Sequence, residues 1–250
     1  MLIPESANRE LLRSAWGGIL ALLLLSLSIT VLAVSGLNLS LWYVAKTLIV
    51  LAVGAALILQ GLPAHHPFRS IGPANLTTGA RGVLVALLAA LVGERTSVPI
   101  QNIAPVVGAV AITLDGVDGW LARRSKMTSR FGARFDMETD ALLILALSVL
   151  AWRFGKADAW VLLSGLLRYA FVLAGAAIPW LRAPLPPNFR RKTVAVIQTV
   201  GLLLVVAPFV PRTASAPIAA VSLIILALSF LTDVMWLKRE AARSSALDAA

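Results

Sequence analysis

The sequence contains no cysteine, only two histidines and only 12 acidic residues in a chain of 250. The absence of cysteine excludes disulfide bonds and thiolate metal sites. Charged residues make up 14% of the chain, whereas about 25% is usual in a soluble domain. Hydrophobic residues make up 59%, and the mean hydropathy is +0.86. This composition excludes an ordinary soluble domain and predicts a protein that crosses a membrane several times.

Apolar runs recur along the chain at a length that suits membrane helices, which need about 20 residues. Eight such runs lie at 17–35, 42–62, 79–93, 101–122, 137–153, 158–178, 193–210 and 217–236. They lack the alternation that is typical of membrane strands, so we predict an all-α polytopic membrane protein with about eight transmembrane helices. The first run exceeds the usual signal-peptide length of about 7–15 apolar residues, although Ala33-Val34-Ser35 keeps cleavage open as an alternative.

Basic residues are unevenly distributed between the loops. If the N-terminus lies inside, the basic residues of the outside segments are Arg95, Arg153, Lys156 and Arg212. Most of the 22 Lys and Arg residues then lie inside, as they do in cytoplasmic loops of membrane proteins. We therefore expect both termini in the cytoplasm of a protein integral to the inner or plasma membrane. The net charge of +10 has the same origin and does not indicate a nucleic-acid partner.

Acidic residues are concentrated in one window, DGVDGWLARRSKMTSRFGARFDMETD at 115–140. Carboxylates in a membrane are costly, so their presence there usually indicates function. Asp115 and Asp118 share a helix face near the inner end of one span, and Asp136 and Asp140 share a face at the start of the next. Two antiparallel helices would bring these oxygen ligands to one depth, which suits a pair of divalent cations. An ion-pair network with nearby arginines is the alternative.

The spacing of this window, D-x2-D-G-x2-A-R-x8-G-x3-D-x3-D, resembles the signature of the CDP-alcohol phosphotransferases, integral membrane enzymes of phospholipid synthesis. Its positions are Asp115, Asp118, Gly119, Ala122, Arg123, Gly132, Asp136 and Asp140. The resemblance implies a catalytic core of six transmembrane helices, which we expect at 79–240. Residues 1–62 would then form two additional helices, 63–78 an interfacial cytoplasmic segment, and 241–250 a cytoplasmic tail.

The resemblance also implies the chemistry of the site. Two Mg²⁺ or Mn²⁺ ions, held by the four aspartates, would bind the pyrophosphate of a CDP-linked donor. Asp140 would in addition act as the general base that takes the proton from the acceptor hydroxyl. Gly119, Ala122 and Gly132 would line the cytidine pocket, with Arg123 near the donor phosphates. The same resemblance implies a homodimer.

Four residues outside the signature extend the predicted site. Asn75 and Arg81 begin and end a stretch that resembles the family's N-x-L-T-x-x-R, with Thr77 in place of the Leu, and are predicted to bind the donor. Their alternatives are a helix N-cap and a snorkelling side chain. Arg168, in the middle of a span, needs a partner or a polar cavity. Lys192 lies in a basic cluster that loosely resembles a stretch of phosphatidylglycerophosphate synthases, so both cations are predicted to bind an acceptor phosphate.

The interfacial segment contains both histidines, His65 and His66. The segment is rich in proline and glycine, as interfacial breaks between helices are. We therefore predict solvated loop side chains for the pair rather than metal ligands.

The sequence thus predicts a transferase that moves a phosphatidyl group from CDP-diacylglycerol to an alcohol, with glycerol 3-phosphate as the preferred acceptor. Inositol phosphate, serine and phosphatidylglycerol remain alternative acceptors, as does the arrangement in which CDP-choline or CDP-ethanolamine donates to diacylglycerol. A divalent-cation transporter would need acids near the middle of the bilayer and a polar path to both faces, whereas the outer halves of 101–122 and 137–153 are apolar. A scaffold without activity is a third interpretation, which the complete set of aspartates disfavours.

Overall fold

The structure, a computed structural model, describes residues 5–186 and 188–248. These residues form eight α-helices and two short 3₁₀ helices, with no β-strand among them, which confirms the all-α prediction. The α-helices are α1 Glu5–Leu37, α2 Leu41–His65, α3 Gly72–Ala90, α4 Val98–Ser125, α5 Arg130–Arg153, α6 Leu163–Ala177, α7 Phe189–Val206 and α8 Arg212–Asp248. The 3₁₀ helices are Ala159–Leu162 and Pro179–Arg182.

Five helical segments are long and apolar enough to cross a membrane. They are Asn8–Leu37, Leu41–His65, Val98–Ser125, Ala159–Ala177 and Arg212–Arg243. These segments are those of a polytopic membrane protein, as predicted. Helices α3, α5 and α7 coincide with the three remaining predicted spans, and each of them also carries charged side chains. Those charges lower the hydropathy of α3, α5 and α7, and several of them belong to the predicted site.

Helix α3 begins at Gly72, earlier than the apolar run that predicted a span from residue 79. Gly72 has a φ of +78°, and Pro73 follows it in the first turn of the helix. Proline suits the first helical position because its fixed φ is already helical and the missing N–H has no partner there. The polar residues Asn75 and Thr78 therefore lie on α3 itself.

The chain divides into two compact units, 1–147 and 148–250. In the first unit, α1 and α3 approach each other closely at glycines. A Cβ on Gly79 would lie 2.5 Å from Leu22 Cδ1, and a Cβ on Gly18 would lie 2.6 Å from Leu76 Cδ2. Helix α1 thus packs closely against α3, the helix that carries Asn75 and Arg81.

A buried carboxylate ties the other end of the first two helices to the turn after α3. Lys46 Nζ donates to Glu94 Oε1 at 2.7 Å and to the carbonyl of Val92 at 2.7 Å. The backbone N–H of Ser40 donates to Glu94 Oε2 at 2.9 Å. Only 6% of the Glu94 side chain is exposed. These hydrogen bonds therefore hold the connection between α1 and α2 against the turn that follows α3.

In the second unit, α7 packs along α8. A Cβ on Gly201 would lie 3.2 Å from the Cβ of Ser222, so the two helices are close at that point. Lys156, in the loop before the first 3₁₀ helix, donates from Nζ to the carbonyls of Ala207 at 2.9 Å and Val210 at 2.5 Å. The lysine thereby joins its own loop to the turn that follows α7.

Candidate functional site

The four aspartates of the signature converge on one arginine. Arg81 Nη1 contacts Asp118 Oδ2 at 2.7 Å and Asp136 Oδ1 at 2.5 Å. Its Nη2 contacts Asp115 Oδ1 at 2.8 Å and also contacts Asp140 Oδ1. A planar guanidinium with two donor edges can serve several carboxylates at once, which a single ammonium point charge does less well. The side chains from three helices therefore form one cluster.

Helix geometry explains why these residues meet. Positions three or four apart share a helix face, so Asp115 and Asp118 project together from α4 and Asp136 and Asp140 from α5. Only Lys126–Ser129 separate the two helices. Lys126 closes α4 with a left-handed φ of 56°, which turns the chain back. Arg81 is brought by α3, the helix that makes the most extensive contact with α4.

The cluster has a buried floor and an open side. Arg81 is 1% exposed and the Asp118 side chain 6%, while the other three carboxylates are 37–41% exposed. Thr78 donates from Oγ1 to Asp118 Oδ2 at 2.9 Å and completes the floor. Sequence reasoning did not select Thr78, although its position three residues before Arg81 on the same helix face could have indicated it. The three half-exposed carboxylates leave the cluster accessible to a ligand.

The charges in the cluster are unbalanced. Asp115, Asp118 and Asp136 each place one carboxylate oxygen within 4.8 Å of the others. Two negative charges at that distance repel by about 3.5 kcal/mol at an effective dielectric constant of about 20. Arg81 can offset only one of the four negative charges when all four aspartates are ionised. The cluster therefore favours additional positive charge on its open side.

The donor set fits a divalent cation. Carboxylate oxygens are the ligands that Mg²⁺ and Mn²⁺ prefer, and the three oxygens of Asp115, Asp118 and Asp136 are close enough to share one ion. Asp140 is joined to the same group through Arg81. The predicted metal ligands are thus brought together, while the identity and the number of ions stay predictions.

The predicted donor-binding residues form two close pairs beside the cluster. A Cβ on Gly132 would lie 2.8 Å from Asn75 Oδ1, so any other residue at this place would force the Asn75 side chain to move. Asn75 is 5% exposed and donates from Nδ2 to the carbonyl of Ile71 at 2.6 Å. On α4, a Cβ on Gly119 would lie 3.5 Å from Arg123 Nη1. Ala122 is half-buried on α4, and Arg123 is exposed.

The two predicted acceptor-binding cations lie in the second unit. Arg168 is half-buried on α6, and Lys192 is exposed in the first turn of α7. The neighbouring Arg190 is held by α8, because it donates to Ser229 Oγ at 2.6 Å and to Asp233 Oδ1 at 2.5 Å. Arg190 therefore has partners on α8, and the roles of Arg168 and Lys192 stay predictions.

One of the two histidines was assigned wrongly from the sequence. His65 is exposed as predicted, but His66 is 1% exposed. Its ring lies 3.0 Å from Ser129 Oγ through Nδ1 and 2.8 Å from the carbonyl of Ser70 through Nε2. Burial lowers the pKa of His66, and this effect is larger than the increase caused by the hydrogen bond to the Ser70 carbonyl. Nothing in the sequence distinguishes two adjacent histidines, so only packing reveals which one is internal.

Comparison with known proteins places this cluster in a defined domain. The family model for CDP-alcohol phosphatidyltransferase matches residues 72–235. The matched range begins at the first residue of α3 and includes Arg81 and all four aspartates, while α1 and α2 lie outside it. No curated protein and no solved structure gave a significant match.

Proposed function

Since the chain belongs to the CDP-alcohol phosphatidyltransferase family, we propose that it transfers a phosphatidyl group from CDP-diacylglycerol to a small alcohol and releases CMP. The family's reaction is phosphatidyl transfer from a CDP-alcohol in phospholipid synthesis. The observation that carries the proposal is the convergence of four aspartates from two helices around Arg81. Glycerol 3-phosphate is the acceptor we favour.

The four aspartates have two tasks in this reaction. Asp115, Asp118, Asp136 and Asp140 would hold two divalent cations, Mg²⁺ or Mn²⁺. When bound, these ions neutralise negative charge on the donor's pyrophosphate. Asp140 takes the proton of the acceptor hydroxyl, whose oxygen then attacks the β-phosphorus. The new P–O bond replaces the bond to CMP, and CMP leaves with the bonding electron pair.

Arg81 is proposed to act on both the carboxylates and the donor. Its ion pairs hold the four carboxylates in one arrangement, and a preorganised charge costs little reorganisation during the reaction. The same guanidinium presents positive charge towards the donor phosphates, together with exposed Arg123 on α4. Asn75 and Gly132, which are in close contact, would border the cytidine with Gly119 and Ala122.

Acceptor choice is assigned to two cations. Arg168 and Lys192 are proposed to bind the phosphate of glycerol 3-phosphate, since guanidinium and ammonium groups are the usual partners of phosphate. The other acceptors named above, and a reaction between CDP-choline or CDP-ethanolamine and diacylglycerol, would use the same aspartates. A panel of acceptors therefore distinguishes them.

The proposed orientation places the site on the cytoplasmic side, with both termini in the cytoplasm. It is supported by the concentration of basic residues in the segments on that side. Asp115 and Asp118 lie near the end of α4 that leads into the basic turn, and so near the same face. A homodimer stays a prediction of the family resemblance.

The first test is CMP release by the purified protein in mixed lipid and detergent micelles. CDP-diacylglycerol and Mg²⁺ are supplied with a panel of acceptors led by glycerol 3-phosphate. We expect CMP with one acceptor and none in EDTA. Silence with every acceptor, and with CDP-choline or CDP-ethanolamine plus diacylglycerol, would contradict the proposal.

The Asp140→Asn variant tests the proposed general base. We expect it to fold and to lose CMP release by about 10²-fold or more, which is the usual contribution of general acid–base catalysis. The matched control is Asp158→Asn, because Asp158 is exposed and pairs with Arg212 in a loop of the second unit. Full activity of Asp140→Asn, with Asp158→Asn also active, would refute the assignment of the base.

A further inference from the structure

Helices α1 and α2 lie outside the range matched by the family, yet they reach the start of the helix that carries Asp136 and Asp140. Leu11 and Ala15 of α1, Leu62 of α2 and Ile71 form a buried apolar cluster with Phe131 of α5. Phe131 is the second residue of α5 and is 7% exposed. The first turn of α5 is therefore packed into the N-terminal part of the chain.

A chain of hydrogen bonds runs beside this apolar cluster. The Ser70 carbonyl can only accept, so His66 Nε2 carries the hydrogen and donates to it at 2.8 Å. The neutral ring then accepts at Nδ1 from the Ser129 hydroxyl at 3.0 Å. Ser129 Oγ in turn accepts from the backbone N–H of Gly132 at 3.0 Å. The three hydrogen bonds therefore connect the Ser70 carbonyl, through the His66 ring and the Ser129 hydroxyl, to the backbone N–H of Gly132.

The last bond of this chain caps α5. Ser129 precedes the first residue of α5, and a serine at that place satisfies a backbone N–H that has no partner within the helix. Gly132 is one helical turn before Asp136 and two turns before Asp140. Its missing side chain also admits Asn75. The orientation of the first turn therefore decides where both carboxylates and the Asn75 amide lie.

We propose that His66 is a positioning residue, which acts through Ser129 to fix the first turn of α5 and thereby the placement of Asp136 and Asp140. The helix pair α1–α2 is then a working part of the catalytic unit and more than a membrane anchor. Ser129 alone could cap α5, but its hydroxyl is held in the capping position by the buried ring. The effect on turnover rests on the proposed phosphatidyl transfer, whereas the effect on the helix start does not.

The variants separate the two hydrogen bonds of the ring. His66→Asn keeps an acceptor at the place of Nδ1, facing Ser129, whereas His66→Gln keeps a donor at the place of Nε2, facing Ser70. His66→Ala and Ser129→Ala each remove the link to α5. His65→Ala is the matched control, since His65 is the adjacent exposed histidine and its ring hydrogen-bonds to the Gly61 carbonyl of its own helix turn.

Kinetics should show a loss in kcat. A hydrogen bond of ordinary net strength predicts a decrease of about two- to tenfold for His66→Ala and for Ser129→Ala. The double variant should be no slower than the worse single variant, because both changes remove one link. His66→Asn should restore kcat and His66→Gln should not, while His65→Ala should match the wild type. Multiplicative losses in the double variant would overturn the proposal.

Hydrogen exchange of the backbone amides at 129–136 gives a readout that needs no activity. Exchange should be faster than wild type in Ser129→Ala, because the Gly132 amide loses its acceptor. It should also be faster in His66→Ala, because the ring no longer holds that acceptor in place, and it should be unchanged in His65→Ala. If the wild type releases no CMP with any donor, the proposed function fails while exchange still decides the link. Wild-type exchange in His66→Ala, or faster exchange with an unchanged kcat, would overturn the proposal. Should His66→Ala not fold, the comparison of His66→Asn with His66→Gln decides it.

Discussion

Replacement of Arg81 by glutamine tests the electrostatic reasoning most directly. The change removes a guanidinium that is 1% exposed and that contacts four carboxylates. The contact with Asp118 is almost fully buried, and loss of one partner from such a pair costs about 3–5 kcal/mol. The other three carboxylates are 37–41% exposed, so solvent screening reduces each of their contributions to about 1 kcal/mol or less.

The expected result is a large loss of thermal stability that a divalent cation partly reverses. A loss of about 3 kcal/mol lowers the unfolding temperature by about 10 °C in a chain of this size. Without Arg81 the cluster carries more uncompensated negative charge, so a cation that binds the folded state should stabilise the variant more than the wild type. The unfolding temperature of Arg81→Lys should lie between those of the wild type and Arg81→Gln, since lysine keeps the positive charge but lacks the planar guanidinium.

The assay is thermal unfolding of the purified protein in detergent, in EDTA and in Mg²⁺. Arg190→Gln is the matched control, because Arg190 is also ion-paired, to Asp233, but lies outside the acidic cluster. It should lose stability by an amount that Mg²⁺ does not change. Equal unfolding temperatures of Arg81→Gln and wild type in EDTA, or equal responses to Mg²⁺, would refute the reasoning.

Two further predictions concern Gly132, beside the cluster, and Glu94, in the turn after α3. Gly132→Ala places a Cβ 2.8 Å from Asn75 Oδ1, and such overpacking should raise the KM for CDP-diacylglycerol about tenfold. The control is Gly54→Ala, whose Cβ meets no atom within 4 Å and which should leave the KM unchanged. An unaltered KM in Gly132→Ala would contradict the importance of this close contact. Burial raises the pKa of Glu94, but hydrogen bonds led by that from Lys46 outweigh it and hold the pKa below its usual value. The stabilising effect of the ionised Glu94 should therefore be complete above about pH 4.5 and be lost as the pH falls further. The difference in unfolding temperature between the wild type and Glu94→Gln should then become smaller in acid. A difference that does not change with pH would contradict this prediction.

The sequence predicted the helices well because apolar runs in a membrane protein have few alternatives to helix. It predicted the start of α3 poorly. Hydropathy marks the apolar part of a helix, whereas the first turns of α3 contain Asn75, Thr77 and Thr78, which are polar. Those turns begin at a glycine with positive φ and a proline, and these local signals were interpreted as an interfacial break.

The meeting of the four aspartates could be predicted because it depends on helix period and one short turn. The position of Arg81 among all four could not, since it depends on how α3 packs against two other helices. His66 shows the same limit. Its burial results from contacts with Ser129, which is 63 positions away in the chain, and no local pattern encodes such a distant partner.

The contacts of Arg81 also decide how Asp140 can act as a base while it is held in an ion pair. Arg81 reaches Asp140 through Oδ1, and among the described residues Oδ2 of Asp140 accepts no hydrogen bond. A carboxylate has lone pairs on both oxygens, so one oxygen can fix the orientation of the group while the other receives a proton. Because the Asp140 side chain is 37% exposed, an acceptor hydroxyl can approach the group without disturbing the buried floor of Arg81 and Asp118. The ion pair therefore orients the proposed base and leaves it competent.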